Sequence, residues 1–128
     1  MKSILKTIVF VFCFLQLVSC QSQQEEIIKK IDKETLKENG IGKNVQLIDV
    51  RTQPEYENGH IADALNFNIN QKETFLEQIS TLDKAKPVYL YCKKGGRSNR
   101  AAELLKQRGF KKIYDYSGGY DEWSKKID

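Results

Sequence analysis

The sequence contains one histidine and three cysteines in 128 residues. A structural zinc site takes four protein ligands, so His60 with a single mid-domain cysteine falls short of one. Neither sign of charge dominates, since 21 basic side chains face 17 acidic ones; this balance argues against nucleic acid as a partner. Long apolar runs are also missing. The longest, near the start, covers Ile8 to Phe14 and continues through Leu15 before Gln16 interrupts it, well short of the roughly 20 residues that span a bilayer. What is present is the composition of a folded soluble domain: 40% hydrophobic and 30% charged residues, with six Tyr, six Phe and one Trp. The length suits one hydrophobic core and is too small for two.

The first 19 residues, MKSILKTIVFVFCFLQLVS, pair early lysines with a short apolar stretch, the pattern of a secretory signal. Leu17-Val18-Ser19-Cys20 resembles the lipobox of bacterial lipoproteins. That resemblance implies cleavage before Cys20, lipid on its sulfur, and a chain anchored to a membrane of the cell envelope and facing the periplasm. Gln21 in second place, where no Asp stands, resembles lipoproteins that are not retained at an inner membrane. Residues 20–26 are polar and without apolar periodicity, which predicts a tether; residues 27–128 form the expected domain. Cleavage removes 19 residues and two lysines, leaving 19 basic against 17 acidic side chains. It also removes Cys13. With Cys20 carrying lipid, Cys92 is the one cysteine left in the domain. No intradomain disulfide can form, and an unpaired thiol in an exported protein is either buried and inert or reactive for a reason.

Val45 to Val50 and Val88 to Tyr91 read as buried strands, being rich in β-branched and aromatic residues and followed by polar turns. Shorter candidates are Ile27-Ile28, Ala64 to Asn66 and Lys112 to Tyr116. Helical spacing predicts helices over Lys33 to Asn39, Lys72 to Ile79, Ser98 to Arg108 and Tyr120 to Lys126. This alternation predicts an α/β domain with a mainly parallel sheet, whose sites gather at the carboxyl ends of strands. Asp49 with Arg51, and Cys92, fall at such ends.

Between the strand ending at Tyr91 and the helix beginning near Ser98, the chain must turn sharply, and Gly95-Gly96 permits it. Glycines there let successive amides point inward and form a nest for an anion, while the helix adds its own unpaired amides and positive end. The anion at the centre is the Cys92 thiolate or a group attached to it. Lys93, Lys94 and Arg97 add positive charge. Lowering a thiol from about 8.5 to about 7 takes roughly 2 kcal/mol, which a few amides and one cation supply. Cysteine phosphatases use a similar cradle with five residues between Cys and Arg. Here Lys93, Lys94, Gly95 and Gly96 make four, and a tight ring loses up to about 3.5 Å of contour, which suits one sulfur better than a phosphoryl group.

The loop Cys92-Lys93-Lys94-Gly95-Gly96-Arg97-Ser98 resembles the CxxGxRS active-site loop of rhodanese-type sulfurtransferases. Asp49-Val50-Arg51, Glu55-Tyr56, Gly59-His60-Ile61, Gly109-Phe110, Gly118-Gly119 and Trp123 are similar to further elements of that family, in the same order. Asp63-Ala64 departs from its usual Gly-Ala. The resemblance implies a single rhodanese domain with a five-stranded parallel sheet flanked by helices. It also implies a ping-pong mechanism through a Cys92 persulfide, with thiosulfate or a related anion as donor and cyanide or a thiol as acceptor. No cofactor is implied, and the expected molecule is a monomer.

In this reading Lys93, Lys94, Gly95, Gly96, Arg97 and Ser98 surround the donor. Arg97 orders the loop through backbone carbonyls or a carboxylate, Asp49 and Arg51 brace the sheet end, and His60 bonds within a turn. Two other functions fit an intact Cys92: a sulfur carrier that delivers to a partner without turnover, and a small cysteine phosphatase or arsenate reductase.

Overall fold

The computed structural model describes residues 3–4 and 24–126. The expected leader apart from Ser3 and Ile4, with Cys13, the expected lipidation site Cys20 and most of the expected tether, lies outside the described residues. Among the described residues no helix is long and apolar enough to cross a membrane.

Ten elements follow Gln24 in the described chain: β1 (Ile28–Ile31), α1 (Lys33–Asn39), β2 (Gln46–Asp49), α2 (Gln53–Glu57), β3 (Leu65–Asn66), α3 (Lys72–Ser80), β4 (Val88–Tyr91), α4 (Gly96–Gln107), β5 (Ile113–Tyr116) and α5 (Gly119–Trp123). The five strands form one sheet in the order β1-β5-β4-β2-β3, with every paired ladder parallel. Parallel neighbours require crossovers, and the helices supply them.

Side chains alternate across the sheet with a period of two, and β4 shows the result. Val88, Leu90 and Cys92 enter one apolar layer, together with Phe75 and Ile79 of α3 and Ala101, Ala102 and Leu105 of α4. Tyr89 and Tyr91 enter the other, with Leu36 of α1, Ile61, Ala64 and Tyr116. A strand buried on both faces reads as an unbroken apolar run, as Val88 to Tyr91 does.

Most element boundaries lie within two residues of the sequence reading. The closing helix is shorter than expected, ending at Trp123. Helix α4 begins two residues earlier than Ser98, because Gly95 takes the left-handed capping conformation, with φ of 102°, and releases Gly96 and Arg97 into the first turn. Helix α2 has no counterpart in the sequence reading. It is held by a reciprocal capping box, in which Thr52 caps the Glu55 amide and Glu55 returns to the Thr52 amide, with Pro54 in the first turn.

Candidate active site

Three strand ends meet at one rim of the sheet. Asp49 closes β2, Cys92 follows β4, and Ser117 follows β5. Position relative to the strands therefore brings together residues that are far apart in sequence.

Cys92 is 1% exposed and is a free cysteine. Its Sγ accepts the Gly95 amide at 3.0 Å and lies 3.7 Å from Ser98 Oγ. Burial pushes the thiol pKa up; the Ser98 amide and hydroxyl and the Gly95 and Lys94 amides outweigh it, leaving the thiol below its ordinary value. The fold holds these amides in place. A Cβ on Gly95 would lie 2.7 Å from the Ser117 carbonyl oxygen, so the loop can pass β5 this closely only with glycine there. The start of α5 clamps the loop from the other side: the Tyr120 amide donates to the Cys92 carbonyl at 2.8 Å and the Asp121 amide to the Lys93 carbonyl at 3.1 Å.

Arg97 turns its guanidinium onto Glu55 in a two-pronged pair, Nη1 to Oε2 at 2.7 Å and Nη2 to Oε1 at 2.9 Å. Glu55 also accepts from the Thr52 amide and hydroxyl. Arg97 above all, with Thr52 assisting, outweighs partial burial and holds the Glu55 carboxyl at about 2. Of the two kinds of acceptor foreseen for Arg97, the structure uses a carboxylate, and that carboxylate belongs to the short helix α2. Behind this pair, Asp49 and Arg51 form a buried one: Arg51 Nη2 meets Asp49 Oδ2 at 2.7 Å and also donates to the Gly59 carbonyl. The Arg51 guanidinium lies 4.3 Å from the Tyr120 ring centre, tying α5 to the end of β2.

Cys92, Lys93, Lys94, Gly96, Arg97 and Arg100 line an open pocket at the surface. Lys93 and Lys94 are exposed, and the contact of Lys94 with Asp121 is 3.8 Å long with the lysine 77% exposed. Gly96 leaves the pocket open beside it, since a Cβ there would meet nothing within 4 Å. His60 is exposed. It stacks on Tyr56 at 4.0 Å between ring centres and contacts the Tyr56 carbonyl through Nδ1, away from the residues that line the thiol pocket. No cluster of metal-ligating side chains occurs among the described residues.

Sequence reasoning gave no role to Glu55 and overlooked Arg100. Arg100 lies three residues beyond Arg97 on α4, a spacing that places both on one helix face. That spacing was available as a signal.

Comparison with known proteins gives a consistent picture. The family model described as Rhodanese-like domain matches residues 32–126. A Bacillus subtilis (strain 168) protein named YqhL and described as uncharacterized is 35% identical over 127 residues, covering 99% of this chain and 97% of its own length. Thiosulfate sulfurtransferase GlpE of Coxiella burnetii is 37% identical over 81 residues, covering 63% of this chain and 73% of its own. Among solved structures, a rhodanese-related protein from Thermoplasma volcanium superposes with a TM-score of 0.64 at 33% identity, covering 74% of this chain and 89% of its own.

Proposed function

Since the chain belongs to the rhodanese-like domain family, we propose that it is a sulfurtransferase that carries sulfane sulfur on Cys92 from thiosulfate or a related anion to cyanide or a thiol. The observation that supports this most directly is the Sγ of Cys92 seated against the Gly95 amide and the first turn of α4. This is a cradle for a sulfur anion, beneath an open pocket edged by Lys93, Lys94 and Arg100.

In this reading each group has a task. The thiolate attacks the outer sulfur of thiosulfate; the new Cys92 S–S bond forms as the donor's S–S bond breaks, and sulfite leaves with the bonding pair. The persulfide keeps one negative charge, which the Gly95 amide and the start of α4 stabilise. An acceptor such as cyanide then attacks the outer sulfur, thiocyanate leaves, and the thiolate returns. Lys93, Lys94 and Arg100 attract the anionic donor. Arg97, committed to Glu55 by two bonds, fixes the loop. The four-residue spacing from Cys92 to Arg97 disfavours phosphoryl chemistry for the contour reason given above.

Steady-state thiocyanate formation from thiosulfate and cyanide tests the reading. Turnover by the wild type and none by Cys92→Ser is the expected result. A sulfur adduct without turnover would identify a carrier in place of an enzyme, and phosphatase turnover lost in Cys92→Ser would overturn the assignment. We further propose that the protein is a lipid-anchored monomer of the bacterial envelope, facing the periplasm through an anchor on Cys20. The lipobox-like Leu17-Val18-Ser19-Cys20 and the polar stretch that follows support this.

A further inference from the structure

Beneath the first turn of α4 lies a carboxyl group that the mechanism above does not use. Asp115 stands in β5 two residues after Ile113, a member of the apolar layer under α4, and so projects to the same face. In the ladder it is level with Leu90 of β4, two residues before Cys92. Asp115 is 0% exposed, and neither carboxyl oxygen has a hydrogen-bond partner among the described residues.

Such a group is costly, because a buried ionised carboxylate without a partner loses far more hydration than the site returns. Burial accordingly pushes its pKa up. Ser98, Lys30 and Asn99 offset this only in part, and neither carboxyl oxygen reaches hydrogen-bond geometry with Ser98 or Asn99. Burial without a partner favours the neutral form of this carboxyl, which has one O–H to give.

Ser98 is equally buried, and its hydroxyl has competing demands. Its Oγ donates to the Gly95 carbonyl at 3.1 Å and lies 3.7 Å from Cys92 Sγ. While Cys92 is a thiol, sulfur can donate to Ser98. Once Cys92 is a thiolate, it can only accept, and the single Ser98 hydrogen is the side-chain donor beside it.

We propose that Asp115 is a positioning residue for the nucleophile: once Cys92 is a thiolate, the Asp115 carboxyl, unpaired in the structure, donates to Ser98 Oγ, so that the Ser98 hydrogen is committed to Cys92 sulfur. This rests on the reading of Cys92 as the nucleophile. No covalent bond changes; the Asp115 proton stays on Asp115, and the Ser98 hydroxyl turns from the Gly95 carbonyl to sulfur. It also accounts for a buried polar side chain where an apolar one would stabilise the fold.

The test is the pH dependence of Cys92 alkylation by iodoacetamide on the whole folded chain, with thermal unfolding measured in parallel. Among charged groups, Lys30 of β1 is level with Asp115 and Arg97 of α4 acts on Cys92; both are common to every variant. Asp115→Val is expected to raise the Cys92 midpoint by about one pH unit while raising the unfolding temperature. Asp115→Asn, which keeps a donor, is expected to leave the midpoint in place. In a Ser98→Ala background Asp115→Val is expected to move it no further, and Asp115→Ala repeats the measurement with a smaller side chain.

An unchanged midpoint in both apolar variants would overturn the proposal. So would an equal shift without Ser98, or a lowered midpoint in Asp115→Asn, which would mark an ionised carboxylate repelling the thiolate. Alkylation needs no sulfur donor. A wild type that takes up no sulfur would refute the sulfurtransferase reading while leaving this measurement valid.

Discussion

Burial raises the Cys92 thiol and the surrounding amides lower it, with the amides prevailing; alkylation of the wild type should therefore reach half its maximum below the pH of an ordinary thiol, and Ser98→Ala should move that midpoint upward. Glu55 carries a different pH dependence. Its folded value of about 2 lies below the ordinary 4.5, so the unfolded chain binds the proton more readily across that interval. The stabilisation is complete above about 4.5 and is lost as pH falls toward 2. Because the pair is partly solvated, Glu55→Gln should cost about 1 kcal/mol near neutral pH, and urea unfolding should show the difference from wild type closing in acid. Cys92, its glycines and Arg97 were legible in the sequence because they are contiguous. Glu55 as the partner of Arg97, 42 residues away, and Asp115 on the face of β5 under α4 were not, because both placements depend on β4 lying between β2 and β5, an order that periodicity does not encode.

Helix α4 and the loop before it form the element on which the site depends, and its two glycines should respond oppositely to substitution. Gly95 has φ of 102° and a carbonyl 2.7 Å from where a Cβ would stand; Gly95→Ala should cost about 2 kcal/mol or more and raise the Cys92 midpoint by displacing an amide. Gly96 faces open space and is helical, so Gly96→Ala should leave stability within about 0.5 kcal/mol of wild type or improve it, with any effect confined to donor binding at the pocket. Chemical denaturation of the two variants checks both. The sequence announced this loop through its paired glycines, but they did not reveal which one caps the helix. Helix α2 was missed for another reason: five residues are too few for apolar periodicity, and its signal lay in the Thr52 to Glu55 box and Pro54.

For the whole molecule, the alternation of apolar runs and helical spacing was enough to indicate an α/β domain with a parallel sheet, since strands buried on both faces leave unbroken apolar runs such as Val88 to Tyr91. The architecture sets three strand ends side by side and clamps the Cys92 loop between β5 and α5, which holds the loop amides against the Cys92 sulfur. At this scale the anchor is also testable: mass spectrometry of the protein from the membrane fraction should find an N-terminal fragment beginning at a lipidated Cys20, and a fragment beginning at an unmodified Cys20 would refute the anchor. The central claim is that Cys92 carries sulfur, and intact-mass measurement after incubation with thiosulfate tests it most directly. The account predicts a gain of about 32 Da, one sulfur atom, on the wild type, reversed by cyanide and absent from Cys92→Ala; a wild type that gains no mass, or a Cys92→Ala variant that gains as much, would contradict it.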